Sequence, residues 1–170
     1  MRPQANQLDL ASRNSVEGFL QRTIRNLDWM VVQQKTSRGE VHLGTQLTLS
    51  MLGLFVFPDA DKQLKNRLEA FSLKSLLSAG WPGWDISLDK PPQTKRETTN
   101  LGTLLWHVRN AISHRRVTFS SECLVLDEIG FQFEDAPNKS DQINWRARIC
   151  GSDLLEFCRK LANLIIDHYG

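Results

Sequence analysis

The chain has almost no net charge, few cysteines and no internal repeat. Its 21 Lys and Arg against 19 Asp and Glu give a formal charge of +2. This excludes a broad basic coat, so binding to nucleic acid would need a local patch. With 24% charged and 41% hydrophobic residues, the composition also excludes a disordered chain. Three cysteines, Cys123, Cys150 and Cys158, are an odd number without CxxC spacing. That argues against a disulfide framework and for reduced thiols in the cytosol. The opening MRPQANQLDL has no apolar signal-peptide core, so a cytoplasmic location is expected. The longest uncharged stretch, 41–58, is diluted by His42, Thr45, Gln46, Thr48 and Ser50. It is too polar for a membrane span, and no membrane partner is expected. No glycine-rich phosphate loop, GxSxG or HExxH motif occurs. A length of 170 residues fits one domain over 1–170 that buries roughly 70% of its unfolded surface without disulfides or a structural metal.

What is present is helical period first and strand period later. Val16, Phe19, Leu20, Ile24, Leu27, Met30 and Val31 recur at helical spacing over 15–34. Leu47, Met51, Leu54 and Phe55 continue the period in a central, nearly all-apolar helix that Pro58 is expected to stop. Leu64, Leu68 and Phe71 define a short helix, with a break at Ser72 and another turn or two up to Gly80. Residues 80–99 hold three of the six prolines and read as a long loop. There Trp81 and Trp84 either stack on a nucleic-acid strand beside Lys90, Lys95 and Arg96 or pin the loop to the core; pinning is the simpler reading. Leu101, Leu104, Leu105, Val108, Ala111 and Ile112 return to the helical period. Over 117–150, Ile129, Phe131 and Phe133, then Trp145, Ala147 and Ile149, alternate with polar or small residues. With Cys123 to Leu126 they predict a small antiparallel sheet of about three strands, with a polar loop from Ala136 to Gln142. Arg146 and Arg148 alternate with apolar residues on one strand and read as its solvated face, with a second RNA contact as the other reading. Ser152 is expected to cap a closing helix over 152–168. The predicted fold is mainly α, a helical bundle with a small antiparallel sheet inserted before the C-terminal helix.

The segment LLWHVRNAISHRRV concentrates the polar chemistry. Relative to an apolar stripe centred on Leu101, a helix places Asn110 at about 180°, His114 at about 220°, Trp106 at about 140° and Arg109 at about 80°. An outward face bearing a Trp, an Asn, two histidines and a flanking Arg is a candidate site or interface.

Arg109-Asn110-Ala111-Ile112-Ser113-His114 is Arg, Asn, three residues and His on a Leu-rich helix. Together with the long first helix, the MLGLFVFP helix, and the β segment with its closing helix, it resembles the HEPN superfamily (higher eukaryotes and prokaryotes nucleotide-binding), in its pEcR-like branch. The resemblance implies a metal-independent endoribonuclease with no cofactor, acting on RNA in defence or as a toxin. His114 would be the base that takes the 2′-hydroxyl proton. Arg109 would stabilise the charge that develops on the phosphate oxygens. Asn110 would orient the imidazole or the phosphate, with Ser113, Arg115 and Arg116 as RNA contacts. The products would be a 2′,3′-cyclic phosphate and a 5′-hydroxyl.

Arg109 and His114 lie about 140° apart on a straight helix. Either the helix ends near Ser113 and swings His114 round, or two chains build a composite site. HEPN relatives pair through this region, so a homodimer is expected, with Trp106 and His107 at the interface. An antitoxin protein is a further partner the resemblance implies. Some toxin relatives carry a modifiable Tyr two residues after the His; here that position is Arg116, which argues against such control. His107 and His114 share a face but lack a Cys or carboxylate ligand between them, so no metal site is expected. The alternative function is a non-catalytic HEPN dimer module that binds nucleic acid or a partner protein.

Overall fold

A computed structural model of the chain describes residues 16–36, 42–60, 62–90, 97–121, 125–137 and 142–169. The order is α1 (Val16–Thr36), α2 (Leu43–Ala60), α3 (Lys62–Ala70), α4 (Leu73–Ser78), β1 (Asp85–Asp89), α5 (Leu101–Ser113), β2 (Val117–Phe119), a 3₁₀ turn (Leu126–Glu128), β3 (Gly130–Asp135), β4 (Trp145–Cys150) and α6 (Gly151–Tyr169). The fold is mainly helical, with an antiparallel sheet whose last strand runs directly into the C-terminal helix. No helix among the described residues is long and apolar enough to cross a membrane.

The helical stripes read from the sequence form the core. Leu20 and Leu27 of α1, Leu47, Met51 and Leu54 of α2, and Leu64 and Leu68 of α3 are buried together. The break at Ser72 is a true helix start, since its hydroxyl accepts from the Ser75 amide at 3.0 Å and caps α4. Helix α2 runs past Pro58 to Ala60. Pro58 thus lies within the last turn, and the helix ends two residues beyond the expected stop. At the C-terminus, α6 begins at Gly151, so Ser152 lies inside the helix and does not cap it. The α6 stripe of Leu154, Leu155, Cys158, Leu161, Ala162 and Ile165 is buried, and burial pushes the Cys158 thiol far above its ordinary pKa. Cys150 is half-buried, while Cys123, Lys95 and Arg96 lie outside the described residues.

The sheet has four strands in the order β1-β4-β3-β2. The expected long loop therefore contains a strand, β1, that pairs with β4, its register shifting between Ile86, opposite Ala147, and Leu88, opposite Arg146. Leu126, expected in a strand, belongs to the 3₁₀ turn. Trp81 packs edge-on against Phe157 at 5.5 Å, and Trp84 meets Phe157 at 5.3 Å and Phe133 at 5.6 Å. The two tryptophans thus pin this segment to the core. On the outer face Arg146 pairs with Glu134 at 2.7 Å and Arg148 donates to Gln132 at 2.7 Å. On the inner face Phe131, Phe133 and Asp135 of β3 meet Trp145, Ala147 and Ile149 of β4, all buried.

Helix α5 lies between the two layers, packed against α2 and α3 on one side and β3 on the other. The close joint at the sheet's end depends on Gly151. A Cβ there would sit 2.6 Å from the Leu126 carbonyl oxygen and 3.1 Å from the Phe131 ring. Because main chain cannot rotate aside as a side chain can, Gly151→Ala is expected to destabilise the fold by about 1–3 kcal/mol. Urea unfolding would measure this; an unchanged midpoint would contradict so tight a joint.

Candidate functional site

Helix α5 starts at an Asn100 cap, whose side-chain oxygen accepts from the Thr103 amide at 2.9 Å. Leu101, Leu104, Leu105, Val108, Ala111 and Ile112 face the core as their spacing predicts. The opposite face is not all solvent. His107, at about 240° from Leu101 on a helical wheel, is only 2% exposed because the sheet covers that side. It stacks face-to-face on Trp145, with ring centroids 4.6 Å apart and planes 3° apart. His107 therefore belongs to the protomer's own core and does not present its ring to a second chain. Trp106 is half-buried, its ring edge-on to His107 at 4.6 Å.

The polar centre beneath this face is Asp135, a residue that the sequence reading passed over. It occupies an inward position of β3 opposite Trp145 and is 2% exposed. His107 Nδ1 donates to its Oδ2 at 2.9 Å, and Asn110 Nδ2 donates to the same oxygen at 3.2 Å. The Ala136 amide donates to Oδ1 at 2.9 Å. Burial pushes the carboxyl's pKa up, but the His107 and Asn110 hydrogen bonds and the His107 charge outweigh it. The result lies below the ordinary 3.8. The sequence did carry a signal for this residue. Continuing the two-residue alternation past Phe133 puts Asp135 on the buried face, and a buried carboxylate must find donors.

Arg109, Asn110 and Trp106 are half-buried, and His114 is exposed. Arg109 Nη2 lies 3.5 Å from Asn110 Oδ1, so these two motif residues are adjacent. His114 is tied to Asn110 through the main chain, its amide donating to the Asn110 carbonyl at 2.9 Å. Helix α5 ends at Ser113, with His114 as its C-cap at φ −96°, ψ 10°. Of the two ways to bring His114 round, the helix end is therefore present within one chain. The Arg115 amide donates to Ile112 O at 3.1 Å and the Arg116 amide to Ala111 O at 2.8 Å. This pair of bonds is a Schellman stop, which requires a left-handed residue just after the cap. Arg115 fills that place at φ 58°, the one non-glycine at positive φ among the described residues. Two arginines thus leave the helix directly after the exposed histidine. Ser113 is exposed beside them. Among the described residues no group of three or more His, Cys, Asp or Glu side chains is placed to hold a metal ion.

Chemically, the arrangement sets a solvent-accessible imidazole at the end of a helix, with a half-buried guanidinium five residues before it and further cations one and two residues on. A helix C-terminus carries partial negative charge, so an anion approaching it needs cations of this kind. In comparisons with known proteins, the family model described as HEPN pEK499 p136 matches residues 4–170. No curated protein and no solved structure matches the chain significantly.

Two outcomes are expected here. With the folded pKa of Asp135 below its unfolded one, the ionised carboxylate stabilises the native state at and above 3.8. That contribution is lost as pH falls through the folded value. Asp135→Asn is expected to cost about 1–3 kcal/mol at neutral pH and to flatten the acid side of the stability profile. Chemical unfolding at a series of pH values checks both; an acid slope as steep as that of the wild type would contradict the assignment. Arg115→Gly, which relieves a left-handed arginine, is expected to stabilise the fold by about 0.5–1 kcal/mol, measurable as a raised Tm.

Proposed function

The chain belongs to the HEPN family, and from that premise we propose that it is a metal-independent endoribonuclease whose site lies at the C-terminal end of α5. The observation that carries this reading is the placement of the Arg109-Asn110-x-x-x-His114 motif: His114 is an exposed C-cap, Arg109 is held beside Asn110, and Arg115 and Arg116 follow at once. A polar helix face with no chemical role would not need an ionisable base at the helix end with an arginine five residues before it and two directly after it.

The reaction follows from these residue types. His114 in its neutral form accepts the proton of a ribose 2′-hydroxyl. The 2′-oxygen attacks the adjacent phosphorus, the bond to the 5′-oxygen breaks, and that oxygen leaves with a proton from water. The products are a 2′,3′-cyclic phosphate and a 5′-hydroxyl. Arg109 stabilises the negative charge that builds on the non-bridging oxygens, and a planar, permanently charged guanidinium suits that task. Arg115, Arg116 and Ser113 hold flanking phosphates of the strand, a local patch that works despite the +2 net charge.

We further propose that the protein works as a homodimer with Trp106 in the contact, so that each chain completes the surroundings of the other's His114. A defence or toxin role, with a partner antitoxin, fits such an activity in the cytoplasm.

His114 is exposed, so His114→Ala is expected to change stability by no more than about 0.5 kcal/mol while lowering RNA cleavage by roughly 10²–10⁴-fold. Cleavage by the wild type should persist in excess EDTA and leave cyclic phosphate ends. A folded His114→Ala protein with undiminished cleavage would shift the reading to a non-catalytic module that binds nucleic acid or a partner protein. A requirement for added magnesium would reject the metal-independent mechanism.

A further inference from the structure

Asn110 has a fixed orientation, and its cause lies outside the motif. An ionised carboxylate only accepts hydrogen bonds, so the Asn110 atom facing Asp135 Oδ2 at 3.2 Å must be the amide nitrogen. The amide oxygen then points to the other side, where Arg109 Nη2 lies at 3.5 Å. Asp135 cannot shift to suit a different rotamer. Its second oxygen is bonded to the Ala136 amide, its Oδ2 is shared with His107, and its own carbonyl accepts from the Asn144 amide at 3.0 Å. His107 in turn is clamped against Trp145, whose indole nitrogen donates to Thr98 at 3.0 Å. The order of contacts is thus a rigid, buried base, then Asn110, then a half-buried guanidinium at the site. A carboxylate at an inward strand position is costly to bury where a leucine would pack beside Trp145 without penalty, so its retention calls for a task.

We propose that Asp135 is a positioning residue for the cleavage reaction: its carboxylate locks the Asn110 amide so that the amide oxygen holds the Arg109 guanidinium in place. This rests on the ribonuclease reading above and changes the role of Asn110 within it. Asn110 orients the arginine, and neither the imidazole nor the phosphate. Asp135 touches no substrate and acts only through Asn110 and Arg109.

The test is a double-mutant cycle with a fluorophore-labelled, single-stranded RNA of mixed sequence, measuring kcat and KM for wild type, Asp135→Asn, Arg109→Ala and the double variant. A misplaced guanidinium should lower kcat by about 10–100-fold while KM moves little. If Asp135 acts through Arg109, Asp135→Asn should have almost no further effect on kcat in the Arg109→Ala background. An equal loss in both backgrounds would overturn the proposal, because damage to the fold alone would act regardless of Arg109. A second measurement uses no activity. In ¹⁵N-labelled wild type, one Asn110 side-chain amide proton should be shifted downfield and protected from exchange, and that signature should vanish in Asp135→Asn. Free-amide signals in the wild type would overturn the lock even if the variant failed to fold. If the wild type cuts no RNA, the ribonuclease reading falls together with the part given to Asp135 in cleavage. The amide signals then still report whether the carboxylate orients Asn110.

Discussion

A single buried carboxylate joins the two halves of this fold at the point where the motif sits. Asp135 belongs to the sheet, but two of its three donors, His107 and Asn110, come from α5. Apolar packing between a helix and a strand tolerates small slides and rotations, because dispersion has no direction. Three hydrogen bonds to one ionised group do have direction, and in a site 2% exposed there is no water to replace them. The interaction therefore sets the rotation of α5 against β3. The stacking of His107 on Trp145 and the indole bond to Thr98 extend the same constraint into β4 and the segment before α5.

What this rigid joint supports is a helix end in a sparsely populated conformation. The Schellman stop closes the last carbonyls of α5, yet the position that favours glycine holds Arg115 at φ 58°. Strain of this kind, of order 1 kcal/mol, persists where the surroundings determine it and the side chain has a use. Here the next amide is bonded back to Ala111, and the Arg116 carbonyl accepts from the Glu134 amide at 3.0 Å, so the turn is fixed from both sides. The consequence is positive charge at the end of a helix whose dipole would otherwise repel a phosphate.

Much of this was legible in the chain. The period of Leu101, Leu104, Leu105, Val108 and Ile112 fixed the apolar side of α5, and the alternation of Phe131 and Phe133 fixed the inner face of β3. Failures came where one local rule met a second contact. A helical wheel assigns one buried stripe, so His107, on the far side, read as an outward residue; α5 is in fact covered on two sides. Prolines flanking DISLD hid a strand of only five residues whose register shifts midway. Pro58 and Ser152 carried correct local signals, a stop and a cap, but the hydrogen bonds of α2 and α6 extend beyond both. Asp135 lies beyond the alternation that ends at Phe133, and the demand for donors appears only once its face is known to be buried.

In the ribonuclease proposed for this chain, the nucleophile is supplied by the RNA itself, and the residues of α5 and its end only move its proton and hold its charge. A substrate pair that differs in one atom tests this most directly. A short RNA is cut by the protein, the bond is located, and the same RNA is made with a single 2′-deoxy nucleotide on the 5′ side of that bond. The account predicts that cleavage at that bond disappears while binding of the strand is kept. Cleavage of the deoxy substrate at the same bond and a similar rate would contradict it, because the attacking oxygen would then have come from elsewhere.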